Sequence, residues 1–223
     1  MNKLFNPDNA FFSFMGRLFD FVVLSVLWLL LSIPIVTIIP ATSALYYSVV
    51  KVVRRDRGYL AREFWRSFKQ NLRQGSLCSI VAIVAIVVMV IDFNYALVLM
   101  QQGEVIGSAF FGVFLVISIL ICAILMYLCP ILSRFEMKFT GLFKTAFFLS
   151  ARHILTTFCL IILFVVVLLG SYIILPGMFI FPAFGVWISS YLIEPIFKKY
   201  MPAKQHVEQE DEEYRGKDEW YLE

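Results

Sequence analysis

Histidine occurs twice and cysteine four times in 223 residues, and charged side chains make up only 16% of the chain. Cys78, Cys122, Cys129 and Cys159 all fall inside apolar runs, with neither a Cys-x-x-Cys pair nor a Cys/His ligand spacing. They read as small buried hydrophobes, which excludes a disulfide framework and a metal centre. His153 stands at the edge of an apolar run and His206 in a polar tail, each without a second ligand nearby. Nucleophile elbows, HExxH sequences, Walker A loops and dinucleotide fingerprints are absent. No catalytic residue and no cofactor is expected from such a chain, and the reading is non-enzymatic.

What fills the sequence instead is hydrocarbon. Hydrophobic residues make up 61% and aromatic residues 17%, with 23 phenylalanines, and the mean hydropathy is +0.83. A soluble domain is about 45–50% apolar and about 25% charged. A water-soluble fold of this size could not hide so much apolar surface, so a lipid bilayer must act as solvent for most of it. That excludes a soluble enzyme, a disordered regulator and a secreted disulfide-stapled module.

The expected fold is all-α, a polytopic transmembrane helical bundle over residues 1–203, followed by an acidic tail over 204–223. Apolar stretches at about 18–39, 76–101, 105–132 and 152–175 are each long enough for a 30 Å hydrocarbon slab. A further stretch, about 177–197, follows the break at Pro176-Gly177. The segment 41–57 is shorter but ends in Arg54, Arg55 and Arg57, which can snorkel to the headgroups. Lys and Arg cluster between Lys51 and Arg73, between Arg134 and Arg152, and at Lys198-Lys199, whereas the connections at Gln101–Gly107 and Leu175–Met178 have none. The basic connections therefore belong on the cytoplasmic side. Six spans place both termini inside and make three hairpins with uncharged outer turns; five spans, omitting 41–57, put Lys3 and Arg17 outside. Six is the preferred count. The net charge of +3 hides an asymmetry, since the tail carries eight acids against three basic residues and the rest of the chain is +8. On a membrane protein this basicity points to an anionic leaflet, not to nucleic acid.

Two cytoplasmic segments have helical amphipathicity. In Tyr59–Arg73, Leu60, Ala61, Phe64, Trp65, Phe68 and Leu72 form one face and Arg62, Glu63, Arg66, Lys69 and Arg73 the other. Seventy-nine residues on, Lys138–Arg152 echoes it, with Phe143 matching Phe64 and Phe147 matching Phe68. Such a segment can lie in the headgroup layer, or it can dock a partner through Phe64, Trp65, Phe68, Phe143 and Phe147 with Arg66 and Lys69. At the start of the chain, Asn6-Pro7-Asp8 has the pattern of a helix N-terminus leading into the first span.

Asp92 is the acid well inside a span, where a bare charge costs at least a few kcal/mol. It is expected to be neutral and hydrogen-bonded between helices, with Tyr95, Ser171 and Tyr172 as candidate partners, or else to be a proton or ligand site. Glu194, four residues before Lys198, reads as a boundary ion pair. Pro34 and Pro182 are expected to kink their helices, and Ser108-x-x-x-Gly112 and Gly185-x-x-x-Ser189 permit close helix packing.

Asn6-Pro7-Asp8-Asn9, Gly16-Arg17-Leu18, Leu27-Trp28-Leu29-Leu30, Ser32-Ile33-Pro34-Ile35-Val36-Thr37, Ala41-Thr42-Ser43-Ala44-Leu45-Tyr46-Tyr47 and Phe64-Trp65-Arg66-Ser67-Phe68-Lys69-Gln70-Asn71 together carry a resemblance. Over about 6–75 the chain resembles the bacterial YesL-like family of integral membrane proteins. The resemblance implies a plasma-membrane role linked to carbohydrate uptake, beside ABC importers. The EAA…G loop of an importer permease is absent, so the implied role is that of an accessory subunit contacting the permease subunits. A small transporter or channel using Asp92 is the alternative, and a homo-oligomeric scaffold also stays open.

Overall fold

A computed structural model describes residues 10–55, 58–102 and 105–200, and every regular element among them is helical. The Asn6-Pro7-Asp8 start and the acidic tail lie outside the described residues. The order is α1 (Ala10–Ser32), α2 (Ile38–Ser48), α3 (Leu60–Gln101), α4 (Val105–Arg134), α5 (Phe139–Arg152), α6 (Ile154–Ile173) and α7 (Phe181–Tyr200). A short 3-10 turn, Ile35–Thr37, precedes α2, a π turn, Val49–Val53, extends it, and a second 3-10 turn, Leu175–Phe179, separates α6 from α7.

Among the described residues, five helical stretches are long and apolar enough to cross a membrane: Met15–Ser32, Ile35–Val53, Leu60–Gln101, Ile106–Arg134 and Ile154–Ile173. The stretch expected at 41–57 is among them, shifted towards the N-terminus. α7 has 20 residues but is less apolar, because it carries Glu194, Lys198 and Lys199.

At 42 residues α3 is about 63 Å long, roughly twice the hydrocarbon thickness. The amphipathic segment from Leu60 and the apolar span after it are therefore one uninterrupted helix. Gly58, at φ 79°, makes the left-handed turn that admits it. The echoing segment behaves differently: α5 and α6 are separated by a break at His153, whose φ of −114° and ψ of 55° are not helical. Pro34 ends α1 instead of kinking it, sitting in extended backbone with its carbonyl accepting the Thr37 hydroxyl at 2.6 Å. Pro182 stands in the first turn of α7, where a missing N–H costs no helical bond. The prolines inside helices are Pro130 in α4 and Pro195 in α7.

Two helix starts are satisfied from outside their own helix. The N–H of Ile39, beside Pro40, donates to Ser79 Oγ of α3 at 3.2 Å. The N–H of Ala183, beside Pro182, donates to Ser25 Oγ of α1 at 3.2 Å. First-turn amides have no intrahelical acceptor, and an apolar surrounding offers no water, so a neighbour's serine supplies the bond. Gly75 lets α2 and α3 come this close, because a Cβ there would stand 2.9 Å from Pro40 Cβ. Gly185 does the same for α7 against Val167 of α6, with 2.5 Å to Val167 Cγ2, whereas a Cβ on Gly112 would meet nothing within 4 Å.

The core is concentrated at the end of the bundle that carries the basic residues. One cluster joins Tyr46, Tyr127, Ile131, Leu142, Leu149 and Phe197; the other joins Leu24, Leu45, Val49, Phe64 and Phe68. The α3–α4 hairpin runs on beyond it. From residue 83 to 102 only Ala96 is buried, and from 106 to 122 only Gly107.

Candidate functional site

The basic end is organised by the π turn at the close of α2. Arg54 N–H donates to the Val49 carbonyl at 3.0 Å, five residues back. Widening the turn by one residue changes the direction of everything after it. Lys51 faces α3, where its Nζ meets Glu63 Oε2 at 3.0 Å and the Tyr47 hydroxyl at 3.2 Å. Arg54 and Arg55 face α7. Arg54 donates to the Ser190 carbonyl at 3.1 Å and lies 4.0 Å above the Tyr191 ring, a cation–π distance. Pro195 leaves the Tyr191 carbonyl, one residue beyond the one Arg54 meets, without its helical N–H donor.

Glu194 is the hub. Only 5% of it is exposed, and Arg134, at the end of α4, donates to its Oε1 from NH2 at 2.8 Å and from Nε at 3.2 Å. The Tyr46 hydroxyl donates to the same oxygen at 3.1 Å, and Arg55 reaches Oε2 at 3.5 Å. A carboxylate this deep is costly unless paired and hydrogen-bonded, and here residues from α2, α4 and α7 converge to do both. The sequence reading paired Glu194 with Lys198 four residues on; Lys198 is engaged as well, but Arg134, Arg55 and Tyr46 were not foreseen. The available signal was an acid set in the apolar run Leu192-Ile193-Glu194-Pro195-Ile196, which needs a cation from elsewhere in the chain.

The Lys51–Glu63 pair has a second consequence. Glu63 lies inward with it, and the buried stripe of α3 includes Glu63, Phe64, Ser67, Phe68, Gly75 and Cys78. The expected apolar face is thereby rotated. Phe64 is fully buried and Phe68 nearly so in the protein's own core, which corrects their assignment as docking anchors. Trp65, Arg66 and Lys69 stay on the surface, with Trp65 stacked on Phe68 and Lys69 Nζ 5.3 Å above the indole. On α5, Phe147 is half exposed and Phe143 packs partly into the core.

Beside the hub lies a cleft of about 560 Å³ between α3 and the connection from α4 to α5. Ser67, Gln70, Asn71 and Gln74 form its α3 wall, and Arg134 to Lys138 form the opposite one. Asp92 sits elsewhere, half-buried on the projecting part of the hairpin. Among the described residues no hydrogen bond or ion pair reaches it. Of the partners considered for it, Ser171 donates to the Val167 carbonyl and Tyr172 is 85% exposed. Among the described residues there is also no grouping of three or more His, Cys, Asp or Glu side chains that could hold a metal ion.

No curated protein and no solved structure matches the chain. A family model does match part of it, from Phe21 in α1 to Phe93 in α3. That stretch contains the π turn, Lys51, Arg54, Arg55 and Glu63, and it ends just beyond Asp92. It also overlaps most of the region in which the YesL-like resemblance was drawn. Residues 21–93 are thereby similar to the family described as "Protein of unknown function, DUF624".

Proposed function

We propose that the protein is a non-enzymatic accessory subunit that binds and stabilises another assembly within a bacterial plasma membrane, a carbohydrate ABC importer or a related uptake complex. The observation that carries this reading is the projecting half of the α3–α4 hairpin. Its surface is almost wholly exposed and apolar, with Val84, Val87, Ile91, Val113, Val116 and Leu120 all outward. Such a surface suits either lipid or other transmembrane helices. Asp92 favours the second, since it lies about 14 Å from the tip at 1.5 Å per residue, with apolar turns of the hairpin on both sides of it. A carboxyl at that depth without a partner is unfavourable by at least a few kcal/mol. A hydroxyl, amide or basic side chain on a partner helix would remove that penalty. The importer as partner class is supported by the resemblance to the YesL-like family.

In this reading the basic end and both termini face the cytoplasm, following the distribution of Lys and Arg. Trp65, Arg66, Lys69 and Phe147 then border the headgroup layer and flank the same partner from the cytoplasmic side. Affinity purification of the full chain in mild detergent tests the proposal. Importer permease subunits are expected to co-purify and to be depleted by Asp92→Leu, while consistent recovery without any importer subunit refutes it. Defined self-association in their place would make the protein a homo-oligomeric scaffold. A second reading, a small transporter or channel, is favoured by the mid-span position of Asp92 alone. Flux in vesicles separates the two, because Asp92→Asn abolishes transport if the carboxyl carries it.

A further inference from the structure

The α3 wall of the cleft sorts its polar residues by kind. Along one helical face, at spacings of three and four, run Ser67, Gln70, Asn71 and Gln74, none of them charged. The interleaved cations Arg66, Lys69 and Arg73 are turned outward and exposed. A face that served solvation alone would have no reason to separate carboxamides from charges. Across the cleft, Arg134 is committed to Glu194 through two N–H donors, and the exposed Glu136 and Lys138 oppose each other in sign at the rim. The lining therefore offers many donors and acceptors and almost no net charge.

Two further features narrow the ligand. Tyr47, an aromatic residue of the lining, accepts a hydrogen bond from Lys51 at its hydroxyl, which leaves the hydroxyl proton free to donate. Gln74 is held by its bond to the Met137 carbonyl at 2.6 Å, and Asn71 Nδ2 donates to Ser67 Oγ at 3.4 Å. Gln70 has no hydrogen-bond partner among the described residues. A fixed frame with one carboxamide able to both donate and accept, next to an aromatic face, suits a molecule that presents hydroxyls on its edges and C–H bonds on its faces. The volume of about 560 Å³ lies within the usual range of small-molecule sites.

We propose that the cleft between α3 and the α4–α5 connection binds an uncharged polyhydroxylated group, either a free polyol or sugar or the headgroup of a glycolipid. The site is separate from the hairpin surface and does not depend on the accessory-subunit reading. The test uses the full chain, purified in a zwitterionic detergent whose headgroup carries no sugar. Calorimetric titration with glucose, maltose and sorbitol is one arm, and nanodiscs containing a galactosyl diacylglycerol are the other. Saturable binding in the first assigns a soluble ligand, and in the second alone a lipid-borne one. Gln70→Leu, at an exposed and unbonded position, and separately Asn71→Leu, are expected to weaken binding about tenfold. Trp65→Ala, outside the cleft, should bind as the native chain does. Absence of saturable binding in both arms overturns the assignment. So does tighter binding of a sugar phosphate than of its neutral counterpart, or binding that both cleft variants leave unchanged.

Discussion

Replacing Glu194 with glutamine removes the charge at the hub while keeping its size. Arg134, with 8% of its side chain exposed, then loses its counter-ion and one of its best acceptors. Arg55 loses the partner at 3.5 Å, and the Tyr46 hydroxyl must share a neutral amide. Breaking a buried pair by removing one member costs about 3–5 kcal/mol, because the other charge stays behind. The amide oxygen of glutamine still accepts a hydrogen bond, so the expected loss is at the lower end, about 3 kcal/mol. Reversible unfolding of the purified protein in detergent measures it, read by the near-ultraviolet signal of the four tryptophans. A double-mutant cycle sharpens the argument. Arg134→Met alone should destabilise by a similar amount, since it strands Glu194. Glu194→Gln combined with Arg134→Met should cost clearly less than the sum, because neither charge is then stranded. Single variants within about 0.5 kcal/mol of the native protein, or a strictly additive double variant, would refute the view that this network ties α2, α4 and α7 together.

Other expectations follow from the packing and the proposed orientation. Gly75→Val should destabilise by about 1–3 kcal/mol by forcing α2 from α3 at Pro40, whereas Gly112→Ala, facing open space, should gain about 0.5–1 kcal/mol in helix propensity; thermal unfolding of the two separates the cases. Ser79→Ala and Ser25→Ala should each cost about 1–3 kcal/mol by stranding the buried amides of Ile39 and Ala183, and Ser→Thr, which keeps the hydroxyl, should recover much of that where the methyl fits. In a cysteine-free background, Arg66→Cys and Lys144→Cys should react with an impermeant maleimide only after the cells are opened; labelling of either from the outside reverses the proposed orientation.

Much of the fold was readable from hydropathy alone. Runs of twenty or more apolar residues leave few alternatives once the backbone must satisfy its own hydrogen bonds in lipid, and the helices duly lie where those runs are. The site was harder to read, for two physical reasons. Amphipathic periodicity locates a face to within about one residue: Glu63, read as solvent-facing, lies inside against Lys51, beside Phe64 and Phe68 in the core. The hub joins residues up to 148 positions apart, as between Tyr46 and Glu194, and no local spacing encodes that. A nearest-neighbour rule reaches Lys198, one helical turn away, and stops short of Arg134, Arg55 and Tyr46. The small residues show the same limit. Gly185 and Gly112 stand in similar motifs, yet only the first lies at a helix crossing.

The two ends of the molecule differ in a way that fits the proposed accessory role. At the basic end, charges are paired across three helices and the core is dense, so this end can hold its shape without a partner. The projecting hairpin has the opposite character. Its two helices pack on each other, with Phe93 against Phe111 at 5.4 Å, but their outer surfaces meet nothing further in the described chain. Without a hydrophobic driving force between helices in lipid, van der Waals packing and polar contacts must supply association. In the proposed placement Asp92 is the polar group that could supply one, whereas Arg55 and Arg134 of the α2–α4–α7 hub are already engaged. A partner within the membrane should therefore engage the hairpin through Asp92 and leave the hub undisturbed, so loss of complex on Asp92→Leu should come with unchanged unfolding of the isolated protein.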